Sequence, residues 1–306
     1  STTTTTLPAG PLSPLDGLPV DDPLLLERRV IAVKIDNHWN ARPQSGIQEA
    51  DAVYELLVEA GLTRFIALFH DTDSDYLGPM RSGRPTDPTL LKPLGATFTI
   101  SGAQVWVINR IVSAGVPLIG EVRPATFRVS GRFAPHNLYV DTSALREYAD
   151  GRDYADNPPP DLLTWGPWSD DQGVPATDIN FDWSQGLQVG WEWVGDRYLR
   201  TTGGEAHDWV DQEGENAQIS TDTLVVLFAP RYTAVPPGAG SSVPAMDTLG
   251  TGKALVFSSG QMREGTWSRA SIEEAFTLVD TDGETLTVPS GRPWISVFPD
   301  SRTVSW

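Results

Sequence analysis

The sequence predicts an α+β protein, with an N-terminal mixed α/β domain followed by a smaller, mostly antiparallel β domain. Three observations carry this expectation. The chain has 306 residues, about twice the length of an average domain. It is 40% hydrophobic and 9% aromatic, enough to bury a core and far from the composition of disordered chains. Its two halves also differ in kind. Residues 1–150 carry a net charge of −4 and residues 151–306 carry −14, and nine of the 11 Trp lie in the second half. The boundary falls at the Pro-rich linker near 156–161, because consecutive prolines fit neither a helix interior nor a central strand. The expected organisation is a flexible Thr/Pro-rich tether at 1–20, an α/β domain at 21–155 and a Trp-rich β domain at 156–306.

In the first domain, VIAVK at 30–34 suits a buried strand. Ser45 and Gln48 have the spacing of a capping box for a short helix through residue 50. The runs 52–58 and 63–69 are strand-like, separated by a Glu-Ala-Gly turn. A further strand is expected at 97–100 and a helix at 104–114, stopped by Gly115. Thr142 is expected to cap a helix at 143–148. Helices thus alternate with strands. In the second domain, 188–194, 197–201, 224–229, 254–258, 276–280, 285–289 and 294–298 are short, closely spaced and rich in β-branched or aromatic residues. Asp282 and Gly283 form a hairpin turn signal, and one short helix is expected at 272–275.

Composition narrows the function. A net charge of −18 argues against nucleic acid as a partner, since that binding needs a concentrated cationic face. A bare anionic membrane is disfavoured for the same reason. With no cysteine, thiolate zinc sites, disulfides and cysteine nucleophiles are excluded. No apolar run approaches the ~18–20 residues of a membrane span. No cofactor and no metal are expected. The four His are scattered without zinc-ligand spacing, and Asp71, Asp73 and Asp75 open like a calcium loop but meet Tyr76 and Ser82 where Gly and Glu belong.

Unusual polar residues gather at the strand ends of the first domain, where α/β folds place ligands. Asn37, His38, Arg42, Gln44 and Ser45 follow the first strand. Glu55 and Glu59 lie in and after the second, Arg64 opens the third, and Arg81, Ser82 and Arg84 follow it. His136 and Asn137 sit beside a restraining proline. Arginine suits bidentate capture of carboxylate or phosphate, so Arg42, Arg64, Arg81 and Arg84 are candidates for an anion or glycan site. The competing reading is that Asp51, Glu55 and Glu59 pair with these arginines and only stiffen the domain. A serine-hydrolase set drawn from Ser45 or Ser82, His38 or His136, and Asp36 or Asp51 lacks the G-x-S-x-G elbow. A glycosidase pair of Glu55 and Glu59 on one strand would stand about 13 Å apart, too far for the usual carboxylate pair. Trp191, Trp193, Trp209, Trp267 and Trp294 are read as core residues, with a sugar-stacking face as the alternative.

Taken together, IDNH (35–38), ARPQSG (41–46), AD (50–51), VYE (53–55), GLTRFIALF (61–69), GP (78–79) with Arg81, Ser82 and Arg84, and APHNLY (134–139) resemble the YerB-like family of bacterial envelope lipoproteins. EGTW (264–267) and GRPWI (291–295) extend the resemblance through the second domain. The family has no established biochemical role. The resemblance implies two domains and an exported protein, anchored through a lipidated cysteine preceding residue 1. It supplies no catalytic residues. A fainter similarity, in the rhythm of arginines after strands, is to glycan ligases that handle polyprenyl phosphates. The expected function is that of an extracytoplasmic protein binding an anionic or cell-wall glycan ligand, or an envelope protein partner, in an Arg-lined cleft of the first domain. The alternative is an enzyme acting there on envelope glycans or phosphorylated lipid-linked sugars.

Overall fold

The computed structural model describes residues 10–168 and 173–306. The first half builds β1 (Ile31–Asp36), β2 (Ala52–Leu57), β3 (Thr63–Phe69), β4 (Thr97–Thr99), β5 (Leu118–Ile119), β6 (Thr126–Arg128) and β7 (Leu138–Val140). Its helices are α1 (Asp87–Leu91), α2 (Val105–Ser113) and α3 (Thr142–Asp150). The longer strands of the second half are β8 (Asp178–Ser184), β9 (Leu187–Trp193), β10 (Tyr198–Thr202), β11 (Thr223–Ala229), β12 (Gly250–Ser258), β13 (Gln261–Arg269), β14 (Thr277–Asp280) and β15 (Pro293–Pro299). The fold is α+β, with few helices and a β-rich C-terminal half.

One mixed sheet of eleven strands runs through both halves in the order β14-β13-β12-β11-β15-β2-β3-β1-β4-β5, with Val174–Pro175 pairing alongside β13. β15 is the seam. It lies parallel to β11 on one side and parallel to β2 on the other, with Val53 opposite Trp294 and Glu55 opposite Ser296. The central strands β1, β2, β3 and β15 are buried along their whole length. That explains why they read as continuous apolar runs rather than as alternating ones. Even-numbered positions of β1 and β3 (Ala32, Ile66, Leu68) face a core shared with Leu90 and Leu91 of α1 and with Trp106, Val107 and Ile111 of α2. Odd-numbered positions (Ile31, Val33, Ile35, Phe65, Ala67) face α3 and the smaller β8-β9-β10 sheet.

Local chemistry sets the helix ends. Gly115 at φ +72° supplies the left-handed residue just beyond α2. Asp141, not Thr142, caps α3 by accepting from the Ala144 N–H at 3.0 Å. The Thr142 hydroxyl is already committed, donating to Asp73 and accepting from the Ser74 N–H. Ser45 caps nothing either, because Gly46 in the left-handed region is the residue that turns the chain into the short helix Ile47–Glu49.

Other expectations fare differently. Residues 1–9 of the expected tether lie outside the described residues, while residues 13–17 and Val20 are buried rather than free. Leu12 bridges Pro19, Leu15 is buried in the core, and the Ser13 hydroxyl donates to Asp71. The region 272–275 forms turns rather than a helix, and 285–289 contributes only isolated bridges at Thr285 and Val288.

Candidate functional site

The site is built where β1 ends. Antiparallel pairing of β1 with β3 sets Arg64 opposite Asp36 at the edge of the sheet. The loop after β3 returns to the same place, because the Asp36 N–H donates to the Pro79 carbonyl at 2.9 Å and the Arg81 N–H donates to the Lys34 carbonyl at 2.7 Å. Asp36, His38, Glu59, Arg64, Arg81 and Arg84 thereby surround a cavity of about 200 Å³. Three of the four candidate arginines converge on it.

The charges there do not cancel. Arg84 is paired, with Nε and Nη2 each 2.8 Å from Glu59 Oε2. Arg81 Nε lies 3.1 Å from Asp36 Oδ2 but is not aligned for a hydrogen bond. Arg64 is buried and donates to the Ser82 carbonyl at 2.8 Å, without an ion-pair partner among the described residues. Burial, the Arg84 charge and the Arg81 charge push its guanidinium down to about 10, against the pull of Asp36 and Glu59. Burial alone would raise Glu59, yet the hydrogen bond and charge of Arg84 hold it below its ordinary value. Lys34, two residues before Asp36 on β1, is fully enclosed and bound to Asp87 at 2.6 Å. Burial pushes it down to about 8, with Arg64 and Arg84 adding repulsion. Three guanidiniums thus face two carboxylates in a partly desolvated space, where the excess cation favours an anionic guest.

On one flank of this cavity stands an oriented histidine. His136 Nδ1 lies 2.9 Å from Asp36 Oδ2, and its ring stacks on His38 at 4.9 Å with 14° between planes. His38 Nδ1 accepts from the Asn40 N–H, and burial together with the neighbouring His136 pushes the ring below its ordinary value. Neither the Ser45 nor the Ser82 hydroxyl is hydrogen-bonded to a histidine among the described residues, and Asp51 is directed at the His70 N–H instead.

The remaining candidates lie elsewhere. Glu55 does not line the cleft. It is fully buried, held at 3.0 and 2.8 Å by Arg200, at 2.8 Å by the Trp294 indole and at 2.7 Å by the Thr63 hydroxyl. The Asn37 amide donates to that same Thr63, and its carbonyl oxygen accepts from Arg42 and Gln44. A buried polar chain therefore runs from Arg42 through Asn37 and Thr63 to Glu55 and Arg200. Gln44 Oε1 meets His207 Nε2 at 2.9 Å, and Arg42 with His207 lines a separate cavity of about 410 Å³ between the two halves. Ser45 is buried, with its backbone bridged to Gly78, and the Asn137 side chain accepts from Arg128.

Sequence reasoning missed Arg200, His207 and Thr63. The only local signal was an arginine two residues from buried Tyr198 on one strand, at an inward-facing position. Trp191, Trp267 and Trp294 are buried, which removes them from any sugar-stacking face. Two of the three carboxylates of the 71–75 loop are occupied internally, Asp73 pairing with both Arg28 and Arg146 and Asp71 accepting from the Ser13 hydroxyl. A larger cavity of about 520 Å³ near Phe228 and Trp306 holds Lys253 and Arg302, but these already pair with Glu264 and Asp182.

Residues 15–155 match the N-terminal domain, and residues 177–295 the C-terminal domain, of a protein family of unknown function, DUF3048. The chain belongs to this two-domain, YerB-like family. YerB of Bacillus subtilis (strain 168), a protein whose name carries the word lipoprotein, is 24% identical over 301 residues, covering 96% of this chain and 88% of YerB. The crystal structure of the Bacillus subtilis YerB protein superposes with a TM-score of 0.82 at 24% identity, covering 97% of this chain and all of that one. The fold is therefore shared over 97% of this chain. Among the described residues, no helix is long and apolar enough to cross a membrane.

Proposed function

We propose that this chain is an extracytoplasmic, lipid-anchored envelope protein whose Arg64, Arg81 and Arg84 cavity holds an anionic group, phosphate or carboxylate, of an envelope ligand. The name of its YerB relative supports the location. The observation that carries the binding reading is Arg64, a buried guanidinium facing the cavity with, among the described residues, only a backbone carbonyl as its hydrogen-bond acceptor. A buried charge left without a counter-charge is costly, and a bound anion would complete the set. The cavity volume of about 200 Å³ limits the recognised part to a small headgroup.

Isothermal titration of the native chain with inorganic pyrophosphate and phosphate tests this directly. Saturable binding is expected, abolished in Arg81→Ala with Arg84→Ala while thermal unfolding stays cooperative. An unchanged isotherm in that double variant would reject the cavity.

A second reading is favoured by one feature, the Asp36–His136 pair at 2.9 Å beside the cavity. An imidazole oriented by a carboxylate is a general acid–base group, which would suit hydrolysis or transfer on a phosphorylated or glycosidic envelope substrate. Incubation with cell-wall fragments and mass spectrometry of the products decides it. Identical product profiles for native protein and His136→Ala would exclude that role.

A further inference from the structure

Two large aromatic side chains remain in water beside the cationic cavity. Trp39 is 65% exposed and Phe133 is 91% exposed, although burial is the ordinary fate of such groups. Both adjoin the same pair of histidines, Trp39 through its ring and Phe133 through its backbone. The Trp39 ring lies 3.7 Å from His38, and His38 stacks on His136. The His136 N–H in turn closes a tight turn onto the Phe133 carbonyl at 2.9 Å. His38 also lines the arginine cavity, which sets Trp39 beside a lining residue and Phe133 beside the histidine stacked on it. They are held there, because Arg132 donates to the Pro43 carbonyl and Arg42 braces Asn37.

The two segments that carry these aromatics are opposite in charge to the molecule. Residues 37–48 and 122–140 carry Arg42, Arg123, Arg128 and Arg132 and contain no Asp or Glu, in a chain of net charge −18. Arg128 has an exposed partner in Glu121; the rest of the two segments is free of acid. Exposed aromatics combined with basic residues suit the interface of an anionic bilayer, where apolar rings enter the headgroup region and cations meet phosphate. A glycan fits less well, since sugars stack on aromatic walls of a groove, whereas Phe133 projects from a loop whose neighbours Gly131, Ala134 and Pro135 are themselves exposed.

We infer that the Trp39–Phe133 rim docks on a lipid bilayer bearing phosphate headgroups, one of which enters the Arg64–Arg81–Arg84 cavity. This rests on the anion-binding reading above and deepens it by naming the ligand class as a membrane-embedded phosphate ester. The acidic remainder of the surface would be repelled by the same membrane, which fixes one orientation. A general aversion to anionic membranes, expected from net charge, thus has a local exception.

The test is co-sedimentation of the full chain, without any lipid anchor, with phosphatidylcholine vesicles with and without phosphatidic acid, beside pyrophosphate titration. Native protein is expected to bind only the vesicles containing phosphatidic acid. Trp39→Ser with Phe133→Ser should weaken that binding about tenfold or more while pyrophosphate affinity is retained. Arg81→Ala with Arg84→Ala should lose both. Vesicle binding that survives loss of the two aromatics, or native protein that binds pyrophosphate but no vesicle, would overturn the docking inference and leave the cavity reading standing. Binding by the native chain to purified peptidoglycan that depends on Trp39 and Phe133, with none to vesicles, would reassign the rim to a glycan. Failure of the native chain to bind pyrophosphate at all would instead remove the cavity reading beneath it.

Discussion

Two arginine clusters lie within this fold and do opposite things with the same side chain. Around Arg200 every guanidinium nitrogen has an acceptor. Glu55 takes both terminal nitrogens, His207 takes Nε, and the rings of Phe65, Trp191 and Trp294 lie 5.3, 5.2 and 5.0 Å from the guanidinium carbon. Around the 200 Å³ cavity, three guanidiniums face two carboxylates and Arg64 has no salt-bridge partner of its own among the described residues. The first cluster is a closed structural joint. The second has cationic capacity left over, and leftover capacity rather than the number of arginines marks a place where a ligand could bind.

The largest effect should come from opening the closed cluster. Arg200→Ala strands the Glu55 carboxylate in the interior, and Glu55→Ala strands the guanidinium. Removing one partner of such a buried pair costs on the order of 3–5 kcal/mol. Chemical denaturation of either variant should show that loss, and it should be transmitted to both halves, because Glu55 is on β2 and Arg200 on β10. A loss below about 1 kcal/mol, the range of exposed pairs, would mean that the joint is not a structural one.

The open cluster should respond in the other currency. Arg64→Gln keeps a hydrogen-bond donor for the Ser82 carbonyl but removes the uncompensated charge. A charge-assisted hydrogen bond contributes roughly 1.5–3 kcal/mol, so pyrophosphate affinity should fall about 10- to 100-fold while stability holds or rises. Loss of stability without loss of affinity would place Arg64 with Arg200 as a structural residue and erase the contrast between the clusters.

That contrast was half legible in the sequence. The strands themselves were readable because their residues are buried on both faces: 63–69 was expected and Thr63–Phe69 is found. The convergence of Arg64, Arg81 and Arg84 was readable too, since strand-end loops on one sheet edge are near neighbours. The closed cluster was not. Arg200 finds Glu55 across 145 residues and His207 finds Gln44 across 163, and no local pattern encodes partners so distant. Glu55 looked like a site residue for that reason, because a carboxylate in an apolar strand without its counter-ion in view resembles a functional one. The seam strand β15 carries the same lesson. Its apolar run shows that it is a strand, but nothing in it specifies that β2 of the other half would be its neighbour.

A third cluster sharpens the comparison from the acidic side and carries the smallest effect. Burial, with the charge of Asp71 next, pushes Asp51 up to about 7, and burial likewise pushes Asp16 up to about 6. Asp51 Oδ2 accepts the His70 N–H, while Oδ1 has no hydrogen-bond partner among the described residues. Here two acids are buried without a salt bridge among the described residues, and the charges of Arg146 and Arg292 reach Asp51 only from a greater distance. The folded-state values lie above the unfolded ones, so this contribution to stability is complete below about pH 4 and is lost as pH rises through 6 to 7. Asp51→Asn removes the ionisation step and keeps an oxygen for the His70 N–H, though as a weaker, neutral acceptor. The two changes partly offset. The variant should therefore match or fall slightly below the native chain at pH 5 and exceed it by on the order of 1 kcal/mol at pH 8. Thermal unfolding across that range measures the crossing. A native profile that rises rather than falls between pH 5 and 8, with Asp51→Asn parallel to it, would show that Asp51 finds a counter-charge and that only the arginine cavity holds an unbalanced charge.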